Sequence, residues 1–224
     1  MASAGEGYTF TAIYDKINKN YSTDVRERLL YILFTDPRSN TDVKDFRSEV
    51  YDDNFEQYYS AIRNMALKDQ LANRLLLKKG MQVFDFSLPD STGKIIKISN
   101  LKGKVLLLDF WSTGCTGCAN FSQFFHKTVY PEFADCKDFL VIKVNVDKDK
   151  GRWIKSIQSG IYTNPGDMNL YTAGLGLSHP LIMHYRIQSY PLILLIDRDL
   201  KIHTNIKVST SSAELSKLIK TVLN

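Results

Sequence analysis

The chain has 224 residues, enough for one or two domains with a substantial core, and its 44% apolar, 24% charged and 12% aromatic content is that of an ordinary globular protein. Its net charge of +5 is spread along the sequence with no Lys/Arg block and no basic–aromatic interleaving, which argues against a nucleic-acid partner. Three cysteines are too few for a disulfide-stapled scaffold, and no apolar run approaches the ~18 residues of a membrane span.

Residues 1–7 lack the apolar core of a secretion signal and read as a cloning scar or linker. A signal or membrane tether would then lie outside this chain, and compartment is not legible here. Residues 8–80 read as an α-helical N-terminal region. Phe10, Ile13, Tyr14 and Ile17 form one apolar stripe. Val25, Leu29, Ile32 and Leu33 form a second, entered through Asp24 with Glu27 three residues on and closed by Asp36-Pro37. A third stretch starts near Thr41-Asp42, carries Val43, Phe46, Val50, Phe55, Tyr58, Tyr59, Ile62 and Met65, and has a break near Asp52-Asp53-Asn54. Leu71, Leu75 and Leu76 continue the pattern to Lys79-Gly80, where the glycine suits a C-cap.

After Gly80 the period changes. Val83, Phe84 and Phe86 and then Ile95, Ile96 and Ile98 flank the turn Pro89-Asp90-Ser91-Thr92-Gly93 and predict a hairpin. Val105–Phe110 and Phe139–Val146 read as buried strands, and a helix over about 120–127 carries the second cysteine of a Cys-x-x-Cys. Trp153 to Gln158 reads as a helix, followed by a Gly/Asn/Pro-rich loop from Gly160 to Gly176 and a short helix capped by Ser178. Tyr190-Pro191 opens the strand Leu192–Ile196, Lys201–Thr204 returns beside it, and Ser212 caps a last helix carrying Leu215, Leu218, Ile219 and Val222. Strands joined by helical crossovers give an α/β fold with a parallel pair inside a sheet covered on both faces.

Trp111-Ser112-Thr113-Gly114-Cys115-Thr116-Gly117-Cys118 lies where the first buried strand hands over to a helix. Unpaired N–H groups and the helix dipole at a helix N-terminus stabilise a thiolate, the form that attacks disulfides. The pattern therefore points to thiol–disulfide exchange, with Cys115 as nucleophile and Cys118 as the more buried resolving thiol. A structural disulfide or half of a metal site is the competing reading. A zinc site needs a second Cys/His pair, and His179 and His184 in the loop-rich insertion fit poorly, so no metal or other cofactor is assigned. Cys136 reads as a small, partly buried apolar residue.

Asp109-Phe110-Trp111 followed by Cys115-x-x-Cys118, with a later Tyr190-Pro191 before a buried strand, resembles the thioredoxin superfamily over roughly residues 81–224. Val83–Leu88 with Gly93-Lys94 and Leu101-Lys102-Gly103-Lys104 is similar to the N-terminal hairpin extension of the TlpA/ResA-like branch, which is often grouped with the AhpC/TSA type. The stretch from Asp147 to Tyr190 is similar to that branch's insertion before the cis-proline. The resemblance implies a buried Asp109 that takes a proton from Cys118 through water. It also implies a cis Tyr190–Pro191 bond beside Cys115 whose backbone pairs with a substrate segment. Trp111 and Gly114 complete the substrate side of the site. Lys143 matches a proton-relay lysine of the family, although strand alternation leaves it equally free to face solvent. The implied partners are a protein disulfide substrate and a thiol electron donor, membrane-bound in some members, in the bacterial periplasm or cell envelope.

The sequence also departs from the family. Gly114 stands where a tryptophan is usual, Thr116-Gly117 separates the cysteines where a proline is common, and Phe121 replaces the glutamate of the cytochrome-maturation members. These positions tune the redox poise. Two other functions compete. A thiol peroxidase of AhpC/TSA type needs a threonine where Ser112 stands and a partnering arginine. A redox-inert binding module would use the aromatic-rich helical region for docking.

Overall fold

The computed structural model describes residues 8–36, Ser39, Val43 and 55–224; residues 1–7 and most of the expected third stretch, including Phe46 and Val50, lie outside the described residues. The chain divides into two compact units, Met1–Lys78 and Lys79–Asn224. No helix among the described residues is long and apolar enough to cross a membrane.

The first unit contains α1 (Phe10–Asn20), α2 (Thr23–Thr35), α3 (Phe55–Ala61) and α4 (Met65–Leu76). The Thr9 hydroxyl caps α1 by accepting the Ala12 amide at 3.2 Å. Edge-to-face contacts of Phe10 with Tyr58 (4.9 Å) and Phe34 (5.5 Å) lie at the centre of its core. The stripe expected on α2 is rotated. Val25 and Ile32 are 55% and 46% exposed, whereas Leu30, Leu33 and Phe34 are buried.

Glu27 explains the rotation. Its carboxylate is buried, ion-paired to Arg26, and accepts the backbone amides of Arg63 (3.1 Å) and Asn64 (2.7 Å). The sequence suggested a local role for Glu27 beside Asp24. Instead it holds the α3–α4 turn, while Asn64 caps α4 by accepting the Leu67 amide at 2.9 Å. Helix α2 begins at Thr23. A buried carboxylate is tolerable only with such partners, so the face bearing Glu27 turns inward and carries Leu30 and Phe34 with it.

The second unit opens with a two-stranded hairpin, β1 (Ser87–Pro89) and β2 (Ile95–Lys97), in which Leu88 faces Ile96. Its turn is built on Asp90, whose Oδ1 accepts the Thr92 and Lys94 amides at 2.8 and 3.0 Å. The main sheet has the order β5-β4-β3-β6-β7, formed by β3 (Val105–Trp111), β4 (Phe139–Asn145), β5 (Met168–Tyr171), β6 (Leu192–Ile196) and β7 (Ile202–Ile206). The β3–β4 and β4–β5 pairs are parallel, and β3–β6 and β6–β7 are antiparallel. Crossovers run through α5 (Thr116–Thr128) and α6 (Lys150–Gln158); α7 (Pro180–His184) and α8 (Ser212–Leu223) follow.

Every residue of β3 is buried, as a central strand covered on both faces requires. Val105, Leu107, Asp109 and Trp111 alternate onto one face. On that face Phe121 and Phe125 of α5 and Leu215 and Ile219 of α8 pack with Val105 and Leu107 in one apolar cluster. Half-buried Cys136 packs against the same cluster.

Four local expectations are corrected. The insertion is not loop throughout, because Met168–Tyr171 pairs with β4 as an edge strand. Helix α5 begins at Thr116, ahead of the expected residue 120. His179, not Ser178, caps α7, its Nδ1 accepting the Leu181 amide at 3.2 Å. Ser211, not Ser212, caps the final helix through the Glu214 amide at 3.3 Å.

Replacing Glu27 by alanine leaves the Arg63 and Asn64 amides without an acceptor, at a cost of about 1–3 kcal/mol. Hydrogen exchange should accelerate at those amides and in the first turn of α4, with β3 unchanged. Unaltered exchange at Arg63 and Asn64 would contradict this role.

Candidate functional site

Cys115 and Cys118 are joined by a disulfide at the start of α5. Cys115 is the N-cap: its backbone is extended, with φ −75° and ψ 104°, and its Sγ accepts the Cys118 amide at 3.1 Å. A sulfur thus occupies the position that an Asp or Ser oxygen commonly fills. Cys115 is half-buried and Cys118 is 1% exposed. The two cysteines therefore differ in access, Cys115 being the more exposed.

The Tyr190–Pro191 peptide is cis and lies beside the dithiol helix. A Cβ on Gly117 would stand 3.4 Å from Pro191 Cδ and 3.8 Å from the Tyr190 carbonyl oxygen, so the residue between the cysteines packs directly on this turn. Burial pushes the Tyr190 phenol up to about 12. Trp111 is buried beneath the dithiol and stacks on Tyr162 with ring centres 4.8 Å apart. Its place is in the support of the turn, in one cluster with Cys118, Trp153 and Tyr171.

Asp109 and Lys143 are direct partners in the parallel β3–β4 register. Both side chains are essentially without solvent contact, and Lys143 Nζ donates to Asp109 Oδ2 at 2.7 Å. The lysine therefore faces inward, which alternation alone left open. Its Nζ also lies 3.4 Å from Ser122 Oγ on α5. Ser122 is one helical turn beyond Cys118 on the same buried face, so the ion pair sits under the dithiol helix. Asp109 Oδ1 has no hydrogen-bond partner among the described residues. Burial pushes the Asp109 carboxyl above its ordinary range; Lys143 opposes this by charge and hydrogen bond, Asp167 adds to it, His126 subtracts, and burial prevails.

Several residues that support the site were not singled out from the sequence. Asp147, just past β4, accepts the Thr113 amide at 3.1 Å and the Thr113 hydroxyl at 2.5 Å; that hydroxyl also lies 2.7 Å from Ser156 Oγ. Asn145 steadies Asp147 by accepting its amide at 2.9 Å and donating from Nδ2 at 3.2 Å. The Gly114 amide donates to the Tyr162 hydroxyl at 2.9 Å, with Gly114 at φ +91°, a conformation glycine adopts freely. Further along α5, His126 bridges the Ser122 carbonyl (Nδ1, 2.9 Å) and the buried Asp167 carboxylate (Nε2, 2.8 Å), tying the insertion to the helix. The Asn145-x-Asp147 pair at a strand end was the available clue; the rest converge only in three dimensions.

Comparison with known proteins agrees with this geometry. Residues 103–202 match a family model described as thioredoxin-like. The thiol-disulfide oxidoreductase ResA of Halalkalibacterium halodurans is 26% identical over 160 residues, covering 66% of this chain and 81% of the relative. ResA of Bacillus cereus (strain ATCC 10987 / NRS 248) is 24% identical over 143 residues, covering 64% and 78%. Among solved structures, a thiol:disulfide interchange protein from a Bacteroides species superposes with a TM-score of 0.52 at 25% identity, covering 65% of this chain and 91% of that one. The thioredoxin domain of a Bacteroides vulgatus thiol-disulfide oxidoreductase superposes with a TM-score of 0.55 at 24% identity, covering 65% and 98%. Residues 103–202 of the second unit thus match the thioredoxin-like family, and this part of the chain is similar to ResA-type thiol-disulfide oxidoreductases and carries a Cys-x-x-Cys disulfide.

Proposed function

We propose that the Cys115–Cys118 dithiol reduces disulfides in protein substrates. The observation that carries the reading is the asymmetry of the pair: a half-buried Cys115 whose sulfur caps α5, and a buried Cys118 a turn inward, with the cis Tyr190–Pro191 peptide packed on the residue between them. In the reduced protein the Cys115 thiolate attacks one sulfur of the substrate disulfide. That bond breaks, the departing substrate sulfur takes a proton, and a mixed disulfide forms. Cys118, deprotonated with the help of Asp109, then attacks Cys115 Sγ. The second substrate thiolate leaves, and the protein retains the disulfide seen here, having passed two electrons to the substrate.

Asp109 is the proton acceptor in this scheme, acting through water, with Lys143 as the partner that keeps its carboxylate available. A buried carboxyl with a raised pKa suits a base working near neutral pH. The Tyr190 backbone would align an extended substrate segment by strand addition, with Gly114 on the same rim and Trp111 as its support. A second thiol protein, membrane-bound in the simplest arrangement, would restore the dithiol. By analogy with its relatives we assign the protein to the cell envelope, in a bacterial periplasm.

Cys115→Ser should reduce insulin-type disulfide reduction to the uncatalysed background, whereas persistent activity would remove the assignment. Cys118→Ser should instead accumulate the mixed disulfide, visible by mass spectrometry.

The pH dependence follows from the sign of the Asp109 shift. The resolving step needs Asp109 ionised, so its rate rises as pH increases through the raised carboxyl value and then levels. Lys143 pulls that value down, so Lys143→Met should move the inflection to higher pH. Asp109→Asn should abolish the inflection and slow resolution by about 10²–10⁴-fold. Stopped-flow decay of the mixed disulfide measures both, and an unshifted inflection in Lys143→Met would rule out the relay.

A further inference from the structure

The segment 148–155, running from the end of β4 into α6, exposes four cations, Lys148, Lys150, Arg152 and Lys155, against one exposed carboxylate, Asp149. Asp149 is already engaged as the N-cap of α6, its Oδ1 accepting the Arg152 amide at 2.6 Å. The Arg152 guanidinium reaches back over the dithiol turn. Its Nη2 donates to the Thr113 carbonyl at 3.0 Å and stands 3.6 Å from where a Cβ on Gly114 would be. The guanidinium thus lies in van der Waals range of residue 114, one position before Cys115. Neither Arg152 nor Lys155 has an ion-pair partner among the described residues.

Between these two cations lies an open cleft of about 730 Å³, walled also by Thr113, Ser156, Tyr162 and the helix-capping Asp149. It begins at the turn that delivers the reactive sulfur and runs along α6. Two cations outnumber the one carboxylate there, and each can bind a substrate carboxylate: a planar guanidinium with N–H groups to spare, and an ammonium on a flexible stem less than one turn further on.

We propose that this cleft selects the substrate, favouring disulfides flanked by acidic residues. One substrate carboxylate pairs with Arg152 beside the sulfur under attack, and the next pairs with Lys155. The inference rests on the reductase reading above and names the substrate class of the same site. The chemistry is unchanged: the protein's own dithiol supplies both electrons, the substrate S–S bond is cleaved, and the Cys115–Cys118 bond is formed. Exposed rim charges act mainly on encounter rate, so the preference is expressed in the second-order rate and is sensitive to salt.

The test uses the full chain, pre-reduced and freed of reductant, in single turnover against two peptides. These share one disulfide loop and differ only in carrying Glu or Lys beside each cysteine. The Glu peptide should react about tenfold faster at low ionic strength, with the two rates converging at high ionic strength. Lys155→Gln and Arg152→Gln should each shrink the preference, and Arg152→Lys should retain most of it; Lys155→Gln leaves the dithiol turn untouched. Equal rates for the two peptides at low salt overturn this inference and leave the reductase reading standing. A preference that survives both glutamine variants overturns it as well, and failure to reduce either peptide overturns both readings.

Discussion

The hydrogen bond from the Cys118 amide to Cys115 Sγ, 3.1 Å long, is the contact around which this end of the molecule is organised. It makes one sulfur a helix cap and fixes the other on the buried side of the first turn. Four N–H groups at a helix start lack intrahelical partners, and a thiolate is a better acceptor for them than a thiol. The same contact that begins α5 therefore favours the thiolate form of Cys115. The supporting residues keep the turn in register with the helix: Asp147 holds Thr113, Tyr162 holds Gly114, and Pro191 packs on Gly117.

Beneath that cap lies a costly arrangement. A fully buried lysine and aspartate gain from one another, but desolvation can consume most of the gain, and such pairs are weak contributors to net stability. Breaking one partner away typically costs about 3–5 kcal/mol, because it strands the other charge. A sheet built only for stability would place two aliphatic residues here, as β3 and β4 do at Leu107 and Val141. The carboxylate with one unpaired oxygen, directly under the dithiol helix, is consistent with a proton acceptor held at a small energetic cost.

Much of this was legible in the chain. The all-apolar run 105–108 and the Cys-x-x-Cys after it located the central strand and the dithiol turn, because each depends on local chemistry; the place of Tyr190-Pro191 beside the cysteines was implied only by the family resemblance. Lys143 was ambiguous because β4 is covered on both faces, so alternation carries no inside–outside signal there. The edge strand Met168–Tyr171 was hidden in a Gly/Asn/Pro-rich stretch; its strand character comes from pairing with β4. On α2 the consecutive Leu29-Leu30 and Leu33-Phe34 permit two apolar faces, and the buried Glu27 decides between them through partners 36 and 37 residues away. Arg152, Tyr162 and Asp147 reach the site from separate segments, a convergence no spacing rule encodes.

Titration of reduced Cys115 tests the account most directly. The rate of alkylation at that sulfur, followed against pH with the site located by mass spectrometry, reports its thiolate fraction. A helix-capping thiolate beside the Arg152 cation should show its inflection well below the value of about 8.5 for free cysteine. An inflection at or above that value, or a sulfur that alkylates only when the protein is unfolded, would contradict the account.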